Sequence, residues 1–189
     1  MIGVLAVQGA FIEHIQALRA LGAPCIELRQ KADVEQELTG LVLPGGESTV
    51  QGKLLHDLDM YAVLKEKIQR GLPVLATCAG MILLAERLSN DAKVHFATMP
   101  IIVRRNAYGR QLGSFHTQAD FAGLGSVPMT FIRAPYIESA GAGVKVLAEV
   151  DGRIVAARYG DQLALAFHPE LDLDKSMAIH KYFLAMCEK

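Results

Sequence analysis

One cysteine of the chain stands where an apolar strand-like run meets a helix-like run. Cys78 follows Val74–Thr77, and the small residues Ala76 and Gly80 lie two positions before and after it. Small neighbours permit the sharp turn of a nucleophile elbow, which pushes the middle side chain out over the sheet edge. The N-terminus of the following helix favours the thiolate, the nucleophilic form of cysteine. The pattern predicts a reactive thiol, with a buried structural cysteine as the alternative.

A histidine and a glutamate close another apolar run. Leu163–Phe167 is followed by His168, Pro169 and Glu170. Residues i and i+2 of an extended chain project to the same side, so Glu170 can hold one ring nitrogen of His168 and leave the other free as a base. The remaining histidines are interpreted as plain surface or capping residues: His14, His56, His95, His116 and His180. Cys78, His168 and Glu170 thus offer a nucleophile, a base and an orienting acid.

A glycine-rich turn follows a third apolar run. Leu41–Leu43 leads into the sequence PGGEST, in which Gly45 and Gly46 permit close approach of a ligand. Free N–H groups in such a turn can receive an oxyanion. A simple strand-to-helix turn with Ser48 as its N-cap explains the pattern equally well. The turn is not a phosphate loop, because the sequence G-x-x-x-x-G-K-[ST] is absent.

The composition argues for a folded chain that binds neither nucleic acid nor a membrane. Of the 189 residues, 51% are hydrophobic, and 19 Lys and Arg against 20 Asp and Glu leave a net charge of −1. This balance gives no basic surface for nucleic acid or acidic lipid. The longest apolar run, 73–85, is shorter than the ~20 residues that span a bilayer, and the N-terminal stretch lacks the basic region of a secretory signal. We therefore expect a cytoplasmic protein.

The cysteines and histidines do not have the spacing of a disulfide framework or a metal site. The cysteines are three, Cys25, Cys78 and Cys187, and no CxxC or HxxxH pattern occurs. An odd, sparse set fits a reducing compartment. We expect no metal and no disulfide.

The alternation of strands and helices predicts the fold class. Eight runs are typical of strands: Ile2–Val7, Leu41–Leu43, Val74–Thr77, Ile101–Val103, Met129–Ile132, Val144–Glu149, Arg153–Tyr159 and Leu163–Phe167. Helical spacing covers Phe11–Leu18, Leu54–Ile68, Ala79–Leu88 and Ile179–Met186. Right-handed βαβ crossovers then give a three-layer α/β sandwich on a mixed, mostly parallel sheet, in a single domain over 1–189. The polar segment 106–143 is predicted to be an inserted meander of strands and loops.

Longer stretches of the sequence resemble the class I glutamine amidotransferases, which use a Cys-His-Glu triad. More narrowly, they resemble the family of glutaminase subunits of pyridoxal 5′-phosphate synthase. The resemblance rests on GVLAVQGAFIEH at 3–14, LVLPGGEST at 41–49, TCAGMILLA at 77–85, RRNAYGRQ at 104–111, FIRAPYI at 131–137 and FHPEL at 167–171. The segment 89–100 differs from the family's usual stretch, which contains Asn-Pro.

The resemblance implies an activity and a set of roles. It implies a flavodoxin-like fold and hydrolysis of L-glutamine to L-glutamate and ammonia, with no cofactor. Cys78 is then the nucleophile, His168 the general base and acid, and Glu170 its orienter, with the backbone N–H groups of Gly46 and Ala79 as the oxyanion hole. The implied glutamine-binding residues are Gly46, Glu47, Ser48, Arg105, Ile132 and Arg133. The implied partner is the synthase subunit, which accepts the ammonia within a large hetero-oligomer.

Three other functions remain open from the sequence. The chain can be the glutaminase subunit of another amidotransferase, a peptidase or chaperone-like hydrolase of the same sheet type, or a partner-binding subunit without activity. The hydrolases typically have a histidine directly after the cysteine, whereas Ala79 stands there in this chain. The complete Cys-His-Glu set argues against an inactive subunit. Glutaminase assays with and without the synthase distinguish these functions.

Overall fold

The structure, a computed structural model, describes residues 1–106, 113–172 and 177–188. Its strands are β1 (Ile2–Leu5), β2 (Cys25–Leu28), β3 (Gly40–Leu43), β4 (Val74–Thr77), β5 (Ala85–Leu88), β6 (Met99–Arg104), β7 (Ser114–Phe121), β8 (Gly125–Ile132), β9 (Tyr136–Ala140), β10 (Lys145–Val150), β11 (Arg153–Tyr159) and β12 (Gln162–Leu165). Its helices are α1 (Phe11–Ala20), α2 (Lys31–Glu35), α3 (Ser48–Asp57), α4 (Tyr61–Gln69), α5 (Ala79–Leu84) and α6 (Ala178–Cys187), and a 3₁₀ turn covers Pro169–Leu171. None of the helices within these ranges has both the length and the apolarity needed to cross a membrane.

A mixed sheet forms the centre of the molecule. In the described ranges its strand order is β2-β1-β3-β4-β12-β11-β9-β6-β5, and β10 pairs with β11. The five neighbouring strands β2, β1, β3, β4 and β12 are parallel to one another, and β5 is parallel to β6. Strand β11 runs antiparallel to each of its neighbours, β12, β10 and β9. Strands β7 and β8 form a separate antiparallel hairpin. The prediction of a mixed, mostly parallel sheet is confirmed.

Helices cover both faces of this sheet. The connection from β1 to β2 runs in one direction along the strand order, whereas those from β2 to β3 and from β3 to β4 run in the other. Right-handed crossovers then place α1 on the face opposite to α2, α3 and α4. Helix α6 lies with α1, since His14 and His180 are in contact. Strands β1, β3, β4 and β12 are buried along their whole length, as expected for the middle layer of a three-layer sandwich.

Several elements differ from the sequence prediction. The expected helix over Ala79–Leu88 ends at Leu84, and its last four residues form β5. The expected helix over Leu54–Ile68 is two helices, separated near Asp59, whose φ is +55°. The apolar stripe keeps helical spacing across that turn, so periodicity alone does not reveal the break. Strands β2 and β5 and helix α2 have no counterpart among the predicted elements, whereas β7 and β9 lie within 106–143, the segment predicted to be a meander of strands and loops.

Candidate active site

Three adjacent parallel strands end at one edge of the sheet. In the sheet register Leu43 of β3 pairs with Ala76 of β4, and Leu165 of β12 pairs with Thr77 of β4. The segments that follow these strands are the glycine-rich turn, Cys78 and the stretch leading to His168. The three segments singled out in the sequence therefore emerge side by side, at the carboxyl edge where open α/β sheets bind ligands.

Cys78 occupies a strained backbone position between β4 and α5. Its φ and ψ are +49° and −101°, a region that residues other than glycine rarely adopt. The N–H of Cys78 donates to the carbonyl of Leu165, 2.8 Å away, which ties the turn to β12. Gly80 lets α5 pack closely on β3, because a Cβ at this position would lie 2.0 Å from the carbonyl oxygen of Leu43. This geometry is that of a nucleophile elbow.

His168 lies between Cys78 and a buried carboxylate. Its Nδ1 is 2.7 Å from Oε1 of Glu170, and its backbone N–H donates to the carbonyl of Thr130 in β8. Burial lowers the pKa of His168, but the hydrogen bonds with Cys78 and Glu170 outweigh this effect and raise the pKa to about 10. Burial likewise raises the pKa of Glu170, yet the neighbouring His14 and His168 hold it below its ordinary value. The arrangement is a hydrogen-bonded chain that ends in an ionised carboxylate.

The glycine-rich turn lies directly over His168. A Cβ on Gly45 would lie 2.3 Å from Cε1 of His168, so only glycine fits there. Two N–H groups of the turn are engaged, that of Gly45 with Oγ1 of Thr77 and that of Glu47 with Oε1 of Gln8. Within the described residues, the N–H of Gly46 has no acceptor. Gly46 is therefore a donor of this turn that remains available to a ligand.

A pocket opens beside Cys78 and contains every residue predicted to bind glutamine. It is lined by Gly46, Glu47, Ser48, Cys78, Ile82, Arg105, Asn106, Ile132, Arg133 and Pro135. Glu47 and Arg133 face each other with 3.8 Å between a carboxylate oxygen and a guanidinium nitrogen. Ile82, Asn106 and Pro135 were not predicted, because no sequence pattern marks a wall residue that reaches a pocket only through the fold. The rest of the predicted stretch RRNAYGRQ, from position 107, lies outside the described residues.

The segment 89–100 contacts Arg105. The side-chain amide of Asn90 accepts a hydrogen bond from the backbone N–H of Arg105 and donates one to the backbone carbonyl of Arg105, and both hydrogen bonds are 3.0 Å long. A carboxylate oxygen of Asp91 lies 2.6 Å from the guanidinium of Arg105. The N–H of Lys93 and this guanidinium lower the pKa of Asp91. The stretch that differs from the family pattern therefore holds the arginine predicted to bind glutamine.

The interpretation of three histidines as surface or capping residues is wrong. His14, His95 and His180 are buried, and His14 and His180 lie behind Glu170. The signal was present in the sequence: His14 stands three residues after Phe11 and four before Leu18, on the apolar stripe of α1. Helical spacing therefore could have identified it as a core position.

A buried imidazole between a carboxylate and a cysteine at a strand-to-helix elbow is the arrangement of an α/β enzyme that works by acyl transfer to sulfur. Sequence comparison narrows this class. The profile of the SNO glutamine amidotransferase family matches residues 4–189, and the chain belongs to that family. The resemblance inferred from the sequence motifs is confirmed.

Individual relatives agree with this assignment. A protein of Desulfitobacterium hafniense (strain Y51) is 63% identical over 183 residues, 97% of this chain and 91% of that protein. A protein of Haemophilus influenzae (strain PittGG) is 52% identical over 190 residues, 99% of this chain and 98% of that protein. Both are named pyridoxal 5′-phosphate synthase subunit PdxT.

Solved structures share the fold. One described as a glutamine amidotransferase superposes with a TM-score of 0.93 at 39% identity, covering 100% of this chain and 99% of that one. A putative GMP synthase subunit from Thermoplasma acidophilum superposes with a TM-score of 0.67 at 18% identity, covering 99% of this chain and 93% of that one. The second likeness concerns the fold alone.

Proposed function

We propose that this chain is the glutaminase subunit of a pyridoxal 5′-phosphate synthase, hydrolysing L-glutamine to L-glutamate and ammonia. The observation that carries the proposal is the chain of contacts from the elbow cysteine Cys78 through His168 to Glu170. The names of relatives at 52% and 63% identity support the choice of this complex over that of another amidotransferase. The ammonia passes to the synthase subunit, within a cytoplasmic hetero-oligomer.

The reaction proceeds through a thioester on Cys78. The thiolate attacks the side-chain carbonyl carbon of glutamine, and the N–H groups of Gly46 and Ala79 stabilise the oxyanion. The protonated His168 gives its proton to the leaving nitrogen, and ammonia departs. His168 then takes a proton from water, which attacks the thioester and releases glutamate and the thiolate. Glu170 keeps the imidazole oriented and balances its positive charge.

The pocket residues bind the amino-acid end of glutamine. The α-ammonium group requires an anion, which Glu47 supplies, and the α-carboxylate requires a cation, which Arg105 and Arg133 supply. The first N–H groups of α3, which begins at Ser48, lack acceptors within the helix and add donors to the same wall. Ile132 contributes an apolar contact. Neither a metal nor an organic cofactor takes part, and residues 1–189 act as one domain.

Substitution of the nucleophile tests the proposal. We expect Cys78→Ser to abolish glutaminase activity in the complex with the synthase, because serine is a poor nucleophile in a site built for a thiolate. The fold and the binding of the synthase should be retained. Cys25→Ser is the matched control, since Cys25 lies on β2, away from the pocket, and this variant should keep most activity. Turnover of glutamine by pure Cys78→Ser protein would exclude the proposed role.

A further inference from the structure

Two buried histidines lie behind Glu170, on the side away from His168. His14 of α1 and His180 of α6 both have no exposed surface. Nδ1 of His14 is 3.0 Å from Nε2 of His180. Nε2 of His14 is 3.2 Å from Oγ1 of Thr77 and 3.3 Å from Oε2 of Glu170. These residues join the two helices of one layer to the end of β4 and to the proposed triad.

The contacts determine which ring nitrogens carry protons. Without a proton, Nε2 of His14 would direct its lone pair at a carboxylate oxygen 3.3 Å away, which is unfavourable. His14 therefore carries its proton on Nε2, and its Nδ1 accepts from Nε2–H of His180. Nδ1 of His180 is then the unprotonated nitrogen, and it is buried without a partner among the described residues. Both rings are neutral, since burial lowers the pKa of His14 and that of His180, the latter to about 3.

The outer oxygen of Glu170 depends on this contact. Oε1 is occupied by His168 at 2.7 Å. Oε2 is buried, and no fully aligned hydrogen bond reaches it within the described residues. Three titratable side chains of the described residues surround the carboxylate of Glu170. His168 follows β12, His14 belongs to α1 and His180 belongs to α6. His14 Nε2 is thus the polar contact that faces the second oxygen of a buried anion.

We propose that His14 is a positioning residue of the triad: it shares its Nε2–H between Thr77 and Glu170, and thereby fixes the carboxylate whose other oxygen orients His168. His180 fixes the tautomer of His14. This inference rests on the proposed glutaminase function for its kinetic consequences, but its geometric content is the contact of His14 with Glu170, whose effect on the Cys78–His168 pair is measured without turnover. Thr77 also accepts from the N–H of Gly45, so the same hydroxyl links the positioning contact to the glycine-rich turn.

Two amide substitutions that differ by one methylene group test the proposal. In His14→Gln the amide N–H reaches as far as Nε2 of histidine, whereas in His14→Asn it does not. With the synthase present, we expect His14→Asn to lower kcat about tenfold or more with KM for glutamine within about twofold, because the carboxylate loses its support while the pocket is unchanged. His14→Gln should recover most of kcat. The acid limb of the pH profile should move up in His14→Asn, since Glu170 without its donor is protonated more readily.

A measurement that needs no turnover separates this inference from the proposed function. In chains that also carry Cys25→Ser and Cys187→Ser, iodoacetamide alkylates Cys78 alone, and the rate reports the thiolate paired with protonated His168. We expect the pH at half-maximal rate to rise by ~0.5–1 unit in His14→Asn and to stay near that of the unsubstituted histidine in His14→Gln. Ile15→Ala, a neighbouring buried position of α1, controls for loss of packing and should leave this pH unchanged.

Each outcome decides the inference. Equal alkylation profiles for His14→Asn, His14→Gln and the unsubstituted chain would overturn it, as would a shift of the same size in Ile15→Ala. Should His14→Asn not fold, a His14→Gln protein that folds but shows the shifted profile would overturn it, whereas one with the unshifted profile would support it. The expected shift without any glutaminase turnover in the complex would support the positioning role and exclude the proposed function.

Discussion

Glu170 contacts His168 through one carboxylate oxygen and orients its ring, whereas His168 itself transfers the proton. Loss of Glu170 and loss of His168 should therefore affect the reaction to different extents. We expect His168→Asn to lower kcat by on the order of 10³-fold or more, because His168 is the group that gives its proton to the leaving nitrogen. Glu170→Gln should be milder, since an amide oxygen still accepts from Nδ1–H but does not balance the charge of the imidazolium. Steady-state glutaminase assays of the complex give the order. A larger loss in well-folded Glu170→Gln protein would mean that Glu170 has another role.

The charged pocket residues should act mainly on binding. We expect Arg105→Ala and Glu47→Ala each to raise KM for glutamine by roughly ten- to a hundredfold, which corresponds to the ~1.5–3 kcal/mol of a charge-assisted hydrogen bond. Arg104→Ala is the control, because Arg104 pairs with Glu138 on the sheet and does not line the pocket. An unchanged KM and kcat in either pocket variant would remove that residue from the proposed site.

Individual site residues could be selected from the sequence when they lie close after a buried strand. Cys78 directly follows β4 and His168 stands three residues after the end of β12, and the carboxyl ends of parallel strands determine where side chains meet. Thr77 could not be selected, since a buried threonine inside a strand has no local pattern that distinguishes its hydroxyl. Asp91 could not be selected either, because its contact with Arg105 joins two segments that only the fold brings together.

Among the elements, the glycine-rich turn has the clearest consequence for regulation. Two of its N–H groups are already bonded within the chain, and its glycines allow a peptide unit to rotate at little steric cost. We expect low glutaminase activity in the isolated chain and a marked increase on addition of the synthase, by up to the 10²–10³-fold that one oxyanion donor contributes. Ammonia release assays with and without synthase measure this. A full rate in the isolated chain would contradict the prediction but leave the proposed triad in place.

The elements that sequence analysis found are those whose burial leaves a strong pattern. Val74–Thr77 and Arg153–Tyr159 have the predicted bounds, since the first is apolar or β-branched throughout and the second has an apolar, buried centre, as is typical of strands in the middle of a sheet. Strand β5, with the sequence AERL, sits at the sheet edge and exposes its two central residues. Its composition is equally typical of a helix, so only the register with β6 determines its structure.

At the scale of the whole molecule, the buried histidines should contribute to how stability depends on pH. The pKa of His14 and that of His180 are lowered in the folded chain, His180 to about 3. Below pH ~6.5 the unfolded chain therefore binds protons that the folded chain does not, so the free energy of unfolding falls as pH decreases. The pKa of His168 is raised to about 10, so its contribution is complete below pH ~6.5 and is lost as pH rises towards 10.

Urea unfolding between pH 7 and pH 5 measures this effect. We expect the free energy of unfolding to fall by up to ~1.4 kcal/mol per pH unit for each neutral buried histidine. The pH slope should be smaller in His180→Gln than in the unsubstituted chain, because one such group is removed. His116→Gln serves as the control, since His116 is exposed on β7. Equal slopes in all three proteins would show that His180 takes up its proton in the folded state.

We expect the two halves of the pocket to open to solvent at different free energies, because they belong to different parts of the fold. Cys78 and the His168 segment follow β4 and β12, which are buried at every position, whereas Arg133 follows β8 of a hairpin outside the main sheet. Amide protons in β4 and β12 should therefore exchange only through global unfolding, and those of β8 through local opening. Mild denaturant should then abolish recognition of glutamine before the main sheet unfolds, and because the N–H of His168 donates to the carbonyl of Thr130 in β8, the alkylation rate of Cys78 should fall in the same step.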